Sequence, residues 1–148
     1  ADFTLGYPVG AGTDLDENHV LQIMSNARSW EDRYRQLLLL TKQVPSVPES
    51  WRHSENEVSG CESRVWLLLY KDNEGKCHFA VDSDSRIVKA LLITILAAIN
   101  HQSADKIQRI QVVSYLDKLG FTQHLSPSRT NGLLAAWKIM NDFCASFA

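Results

Sequence analysis

The stretch Ile87 to Ile99 constrains this chain more than any other, because Ile87, Val88, Leu91, Leu92, Ile95, Leu96 and Ile99 leave a helix across it without a wettable side. A helix that is apolar almost all round must be enclosed by other elements. The segment Asp84 to Asn100 is therefore expected to be the central buried helix, with Asp82 or Ser83 as its N-cap. The stretch is too short to cross a bilayer and carries Lys89.

Covers for such a helix are written on both sides of it. Thr13 or Asp14 can cap a helix whose apolar positions are Val20, Ile23, Met24 and Ala27, and Ser29 followed by Asp32 opens another. In the second, Trp30, Tyr34, Leu37, Leu38 and Thr41 share a face, while Glu31, Arg35 and Lys42 point outward; Pro45 and Pro48 stop it. Ser46 to Gly60 reads as a polar loop region with room for a short helix around Trp51 to Glu55. Arg64 to Lys71 is dense enough in aromatic and aliphatic residues for a strand buried on both faces. After the turn Asp72-Asn73-Glu74-Gly75, Cys77, Phe79 and Val81 alternate with His78, Ala80 and Asp82, which predicts a hairpin partner with Cys77 on the inner face.

Downstream, helical pieces fit Ala104 to Ile110 and Val112 to Leu119, with Gly120 as a left-handed terminator. Ser126-Pro127 announces a last helix with Leu133, Trp137, Met140, Cys144 and Phe147 in one stripe. Helices around a small antiparallel β-sheet make an α+β order. At 148 residues the chain is expected to form a single domain over residues 1–148, with residues 1–12 as an N-terminal arm.

The formal net charge of −2 and the lack of any Lys and Arg run argue against nucleic acid as a partner. Mixed-sign stretches such as Trp30 to Arg35 read as solvated helix faces. Ala1 to Gly12 contain no basic region followed by an apolar one, so a cytoplasmic location without membrane association is expected. The three cysteines, Cys61, Cys77 and Cys144, are odd in number and widely spaced, which speaks against a disulfide framework.

Cys61 differs from the other two. It lies in Val58-Ser59-Gly60-Cys61-Glu62-Ser63, between a polar loop and a strand, where the preceding glycine permits turns that other residues resist. Functional thiols tend to sit on such loops, whereas Cys77 and Cys144 read as small core hydrophobes. A metal site from Cys61, Cys77, His78 and His53 lacks ligand spacing, and neighbours on a strand point to opposite faces. A cysteine hydrolase needs a base beside the thiol, and sequence cannot bring His53, His78, His101 or His124 to Cys61.

The run Ser59-Gly60-Cys61-Glu62-Ser63-Arg64-Val65-Trp66-Leu67 resembles the active-cysteine segment of the SufE family of sulfur acceptors, whose pattern is Gly-Cys-x-Ser-x-Val-Trp. Trp30 to Leu37, Asp82 to Leu91 and Thr122 to Leu133 are similar to the same family in the same order. The stretch at Trp30 is closer to the CsdE branch, and Gln123-His124-Leu125 is similar to SufE itself.

The resemblance implies a SufE/IscU-like fold and a pyridoxal-phosphate cysteine desulfurase, of SufS or CsdA type, as partner. Pyridoxal phosphate then belongs to that partner, and this chain needs neither cofactor nor metal. Cys61 is the implied persulfide carrier, draining and so stimulating the desulfurase. It passes sulfur to an acceptor such as a SufB-type scaffold in iron–sulfur cluster assembly or a related thiolation pathway. The chain is then a desulfurase activator more than a stand-alone enzyme. The alternative from another class is an iron–sulfur or metal-binding scaffold of IscU-like fold.

Three further residues enter through the resemblance. Arg129 can stabilise an anionic sulfur, or serve only in a surface ion pair. Asp84 is a neighbour of the active-site loop, or simply a carboxylate in the first turn of a helix. His124 is a proton donor or a turn residue. Trp66 is expected to pack under the loop.

Overall fold

The computed structural model describes residues 2–60 and 62–146, without the side chain of Asp2. The helices are α1 (Asp2–Leu5), α2 (Glu17–Asn26), α3 (Trp30–Thr41), α4 (Arg86–Ile99), α5 (Ala104–Gln108), α6 (Val112–Lys118) and α7 (Pro127–Ala145). The strands are β1 (Val65–Lys71), β2 (Lys76–Ser83) and β3 (Gln102–Ser103). They form one antiparallel sheet in the order β1-β2-β3, so the architecture is the expected α+β. The β1–β2 ladder runs from Val65 opposite Ser83 to Lys71 opposite Cys77.

The α4 helix is the centre of the core, buried along its whole course from Lys89 to Ile99. Each large aliphatic side chain enclosed there stabilises the fold by roughly 1.5–3 kcal/mol. The hydroxyl of Thr94 donates to the Leu91 carbonyl at 2.7 Å, so the helix accommodates a polar side chain without an unmet donor.

Local signals set most boundaries. Ser29 caps α3 and Ser126 caps α7, each accepting an N–H three residues on. Two other caps differ from the sequence reading. Asp16, not Thr13 or Asp14, caps α2, because the Thr13 hydroxyl is engaged in a turn with Gly10 and Leu15. Ser85, not Asp82 or Ser83, caps α4, because Asp82 is still strand and the Ser83 hydroxyl donates to the Arg64 carbonyl at 2.7 Å. Along α3, Leu37 and Leu40 are the buried residues and Tyr34 is exposed. The polar region before the hairpin holds two single 3-10 turns, Glu49–Trp51 and Ser54–Asn56, in place of one short helix.

Strand β2 has no wet face. Cys77 and Phe79 look toward α7, meeting Cys144 and Phe143, while His78 meets His101 and Asp82 meets Lys89 of α4. His78, Ala80 and Asp82, which alternation alone would place opposite the core, are thus buried as well. The α7 stripe holds Leu133, Met140 and Cys144 in the core, with Trp137 half-buried; Phe147 lies outside the described residues.

The first residues are built into this core. Tyr7 and Val9 are buried, and the Tyr7 hydroxyl donates to the Val81 carbonyl at 3.1 Å. Asn100, at the end of α4, joins three parts of the chain. Its Nδ2 donates to the carbonyls of Val9 and Phe79, and its Oδ1 accepts the Phe79 N–H at 2.7 Å.

Candidate functional site

The segment that carries the cysteine motif leaves and re-enters the sheet at one place. The Val58 N–H donates to the Val65 carbonyl at 2.8 Å, and Glu57 forms a β-bridge with Trp66. Residues 59–60 and 62–64 therefore lie between two joined stems. Gly60 has φ of 86°, a left-handed conformation that glycine adopts without the steric cost other residues meet. Cys61 itself lies outside the described residues.

The stems are tied by charge. The Arg64 guanidinium donates to both carboxylate oxygens of Glu57, at 2.9 and 3.4 Å, which holds the Glu57 carboxyl below its usual range and raises the arginine further. The same guanidinium lies 4.9 Å from the Trp66 ring centre, and Arg52 covers that ring at 5.6 Å. Sequence reasoning gave no role to Glu57 or Arg64; the one signal was their opposite charge on either side of the cysteine motif.

Asp84 stands against the returning stem. Its carboxylate accepts the Arg64 N–H at 3.0 Å, and its own N–H donates to the Arg64 carbonyl at 3.2 Å. Asp84 precedes the Ser85 cap, so it is not in the first turn of α4. Its place in the fold is explained by the loop stem instead.

Beside the loop is a small cavity of about 40 Å³, reached by Glu62 and Ser63 from the loop, Val65 from β1, Leu92 from α4, and Arg129 and Leu133 from α7. Strand alternation places Val65 on this side and Trp66 on the other, so Trp66 does not line it. Arg129 reaches the cavity from the first turn of α7, whose start Ser126 fixes by accepting the Arg129 N–H.

His124 is placed elsewhere. Its ring stacks on Trp30 at 4.8 Å and 4°, and it lines a different cleft with Arg33, Asp117 and Thr122. Asp82, read from the sequence as an alternating strand residue or a helix cap, is a buried acid. Its carboxylate accepts the Val47 N–H at 2.8 Å and faces Arg52 at 3.1 Å and Lys89 at 3.4 Å. Among the described residues no three His, Cys, Asp or Glu side chains converge as a metal-ligand set.

Residues 18–144 match the family described as the Fe-S metabolism associated domain, SufE, which places the chain in a class associated with iron–sulfur metabolism. The chain belongs to the SufE family: over 130 residues it is 38% identical to the sulfur acceptor protein CsdE of Escherichia coli (strain K12), covering 88% of this chain and 87% of that one. It is also 37% identical over 124 residues to an uncharacterized SufE-like protein of Rhizobium meliloti (strain 1021), covering 82% and 87% of the two chains. The fold is similar to the solution structure of a hypothetical protein from Thermus thermophilus, with a TM-score of 0.69 at 16% identity, covering 88% of this chain and 93% of that one. Among the described residues no helix is long and apolar enough to cross a membrane.

Proposed function

We propose that Cys61 accepts a sulfur atom from the active-site persulfide of a cysteine desulfurase and carries it as a persulfide to an acceptor protein. The observation that supports this most directly is that the stems on either side of the motif are tied together, with its Glu62 and Ser63 beside a cavity reached by Arg129. The similarity to a named sulfur acceptor points to the same donor chemistry.

In this step the Cys61 thiolate attacks the terminal sulfur of the donor persulfide. A new S–S bond forms on Cys61, the donor's S–S bond breaks, and its electron pair returns to the donor cysteine as a thiolate. A proton on the terminal sulfur travels with it, and no outside oxidant or reductant is consumed. Arg129 provides positive charge next to the loop, where a thiolate or a persulfide anion benefits from it. Glu57, Arg64 and Asp84 hold the stems, so that partner docking meets a loop of defined entry and exit.

Draining the persulfide frees the desulfurase for another turnover, which is how the chain stimulates its partner. Pyridoxal phosphate acts in the partner. The onward acceptor is a scaffold of iron–sulfur assembly or a thiolation enzyme, and both take sulfur by the same exchange. Incubation with a cysteine desulfurase and cysteine, followed by intact-mass measurement, tests the reading. A reductant-labile gain of about 32 Da per sulfur atom is expected. Absence of any gain while the desulfurase alone accumulates persulfide would overturn it.

A further inference from the structure

At the turn end of the hairpin, the end of the ladder away from the cysteine loop, three side chains form a hydrogen-bonded chain that ends on the N-terminal segment. Asp72 Oδ2 lies 2.8 Å from His78 Nε2, His78 Nδ1 lies 2.7 Å from His101 Nδ1, and His101 Nε2 lies 2.8 Å from the Tyr7 carbonyl oxygen.

The acceptors at the two ends determine where the hydrogens are. A carbonyl only accepts, so His101 carries a hydrogen on Nε2. Asp72 also accepts: its other oxygen takes the N–H groups of Glu74 and Lys76, both at 2.9 Å, and the hydrogen bond from His78, ahead of these, keeps its carboxyl below the usual range. His78 therefore carries a hydrogen on Nε2. Between the facing Nδ1 atoms there is room for one hydrogen. With none, two lone pairs would oppose each other at 2.7 Å; with two, the N–H groups would collide.

Four ring nitrogens thus share three hydrogens, one more than two neutral imidazoles hold, and the Asp72 carboxylate balances the charge. Burial, chiefly, keeps His101 toward its neutral form, and the charge of His78 acts the same way against the pull of the Tyr7 carbonyl. The Asp72 carboxylate lies against His78 and not against His101, which favours the extra positive charge on the ring beside it.

We propose that Asp72, His78 and His101 form a latch on the N-terminal segment, closed by the single proton that the two rings share and opened by its loss. Once that proton leaves, His101 has one hydrogen for two contacts. If it stays on Nε2, the Nδ1 atoms face each other as bare acceptors. If it moves to Nδ1, Nε2 faces the Tyr7 carbonyl with nothing between them. Either way one link of the chain becomes repulsive.

The anchored segment is defined by neighbouring bonds. The Ala11 N–H donates to the Asn100 carbonyl at 3.1 Å, and the Gly10 N–H to the Leu15 carbonyl at 2.9 Å. His101 has φ of 64°, the one positive value outside glycine among the described residues. This sparsely populated backbone state is held where the ring reaches both β2 and Tyr7.

Other ionisable side chains surround the chain: Tyr70 and Lys71 at the end of β1, Glu74 of the turn, and Lys76 at the start of β2. Tyr7 and Asp14 face the same cleft from the N-terminal side. Of these residue types with histidine, only histidine ordinarily titrates between about pH 5 and 8.

Nitrogen NMR of the imidazoles in the full chain, over about pH 5 to 8, tests the latch together with amide-exchange protection of Gly10 and Ala11 corrected for intrinsic rates. The expected result is His101 with hydrogen on Nε2 alone and His78 doubly protonated at the acid side. Protection of both amides then falls roughly fivefold as the shared proton is lost, the change that loss of one ordinary hydrogen bond gives. In His78→Asn the side-chain amide, attached to Cγ as Nδ1 is, supplies a hydrogen to His101 Nδ1 at every pH, so the protection becomes flat. A His101 hydrogen on Nδ1 at the acid side, two neutral rings throughout, a flat wild-type profile, or an unchanged drop in His78→Asn would each overturn the proposal. The wild-type tautomers decide the matter even if that variant does not fold.

Discussion

The thiols of Cys77 and Cys144 touch, Sγ to Sγ at 3.2 Å, and neither residue is exposed. Burial pushes both thiols upward from the ordinary range. Since the thiolate is the reacting form, this pair is withdrawn from nucleophilic chemistry. A short iodoacetamide pulse on the folded protein is expected to label Cys61 alone, with Cys77 and Cys144 labelled only after denaturation. Equal labelling of Cys144 in the folded protein would contradict the packing of α7.

Arg129→Ala should slow sulfur acceptance while leaving the fold intact. Hydrogen bonds to charged groups contribute about 1.5–3 kcal/mol, so a loss of about tenfold or more in transfer rate is expected. Arg129 is only half-buried at the start of α7, and a surface change of this kind shifts stability by less than about 0.5 kcal/mol. Single-turnover transfer from a persulfidated desulfurase measures the first effect, and thermal melting the second. An unchanged transfer rate would leave Arg129 a surface residue.

Asp82→Ala should be the most damaging polar substitution near the hairpin. Its carboxylate faces Lys89, itself 8% exposed, as well as Arg52 and the Val47 N–H. Removing the acid leaves a buried ammonium without a counter-charge, which costs about 3–5 kcal/mol. Urea denaturation of the variant checks this, and a cost under about 1 kcal/mol would mean that Lys89 finds water instead.

Much of this architecture can be read from residues alone, and the misses share a cause. Ser29, Ser126, the Asp72 to Gly75 turn and the α4 run are local signals, strong because cap, turn or helix chemistry is settled within a few residues. The two misplaced caps are also local, but the Ser83 and Thr13 hydroxyls are already engaged elsewhere. The Ser83 hydroxyl bonds to Arg64 across the ladder, and that of Thr13 to the Gly10 turn. Alternation along β2 presumes one wet face, and both faces are covered, so His78 and Asp82 looked like outward residues. The candidate site is present in the sequence as the motif around Cys61, while the Glu57–Arg64 tie and the cavity at Arg129 depend on strand pairing and helix packing.

Acid should weaken the turn end of the hairpin. The Asp72 carboxyl is held low chiefly by the hydrogen bond from His78, so the unfolded chain takes up this proton before the folded one does. Stability from this group is present above the ordinary carboxylate range, near pH 4, and is lost as pH falls through the lower folded value. Asp72→Asn should therefore show a shallower loss of stability below about pH 4 than the wild type. Parallel urea titrations across that range measure it, and identical slopes would show that Asp72 carries no such linkage.

The central claim rests on one sulfur atom on one residue, and intact-mass spectrometry of wild type and Cys61→Ser after incubation with a cysteine desulfurase and cysteine tests it most directly. The substitution exchanges an ionisable thiol for a hydroxyl that stays protonated near neutrality, with little change in volume. Wild type should gain about 32 Da per sulfur, removable by reductant, and Cys61→Ser should gain nothing while remaining folded and able to bind the enzyme. Reducible sulfur on Cys61→Ser, or loading abolished by Cys77→Ser or Cys144→Ser in a folded protein, would contradict the assignment of Cys61 as the carrier.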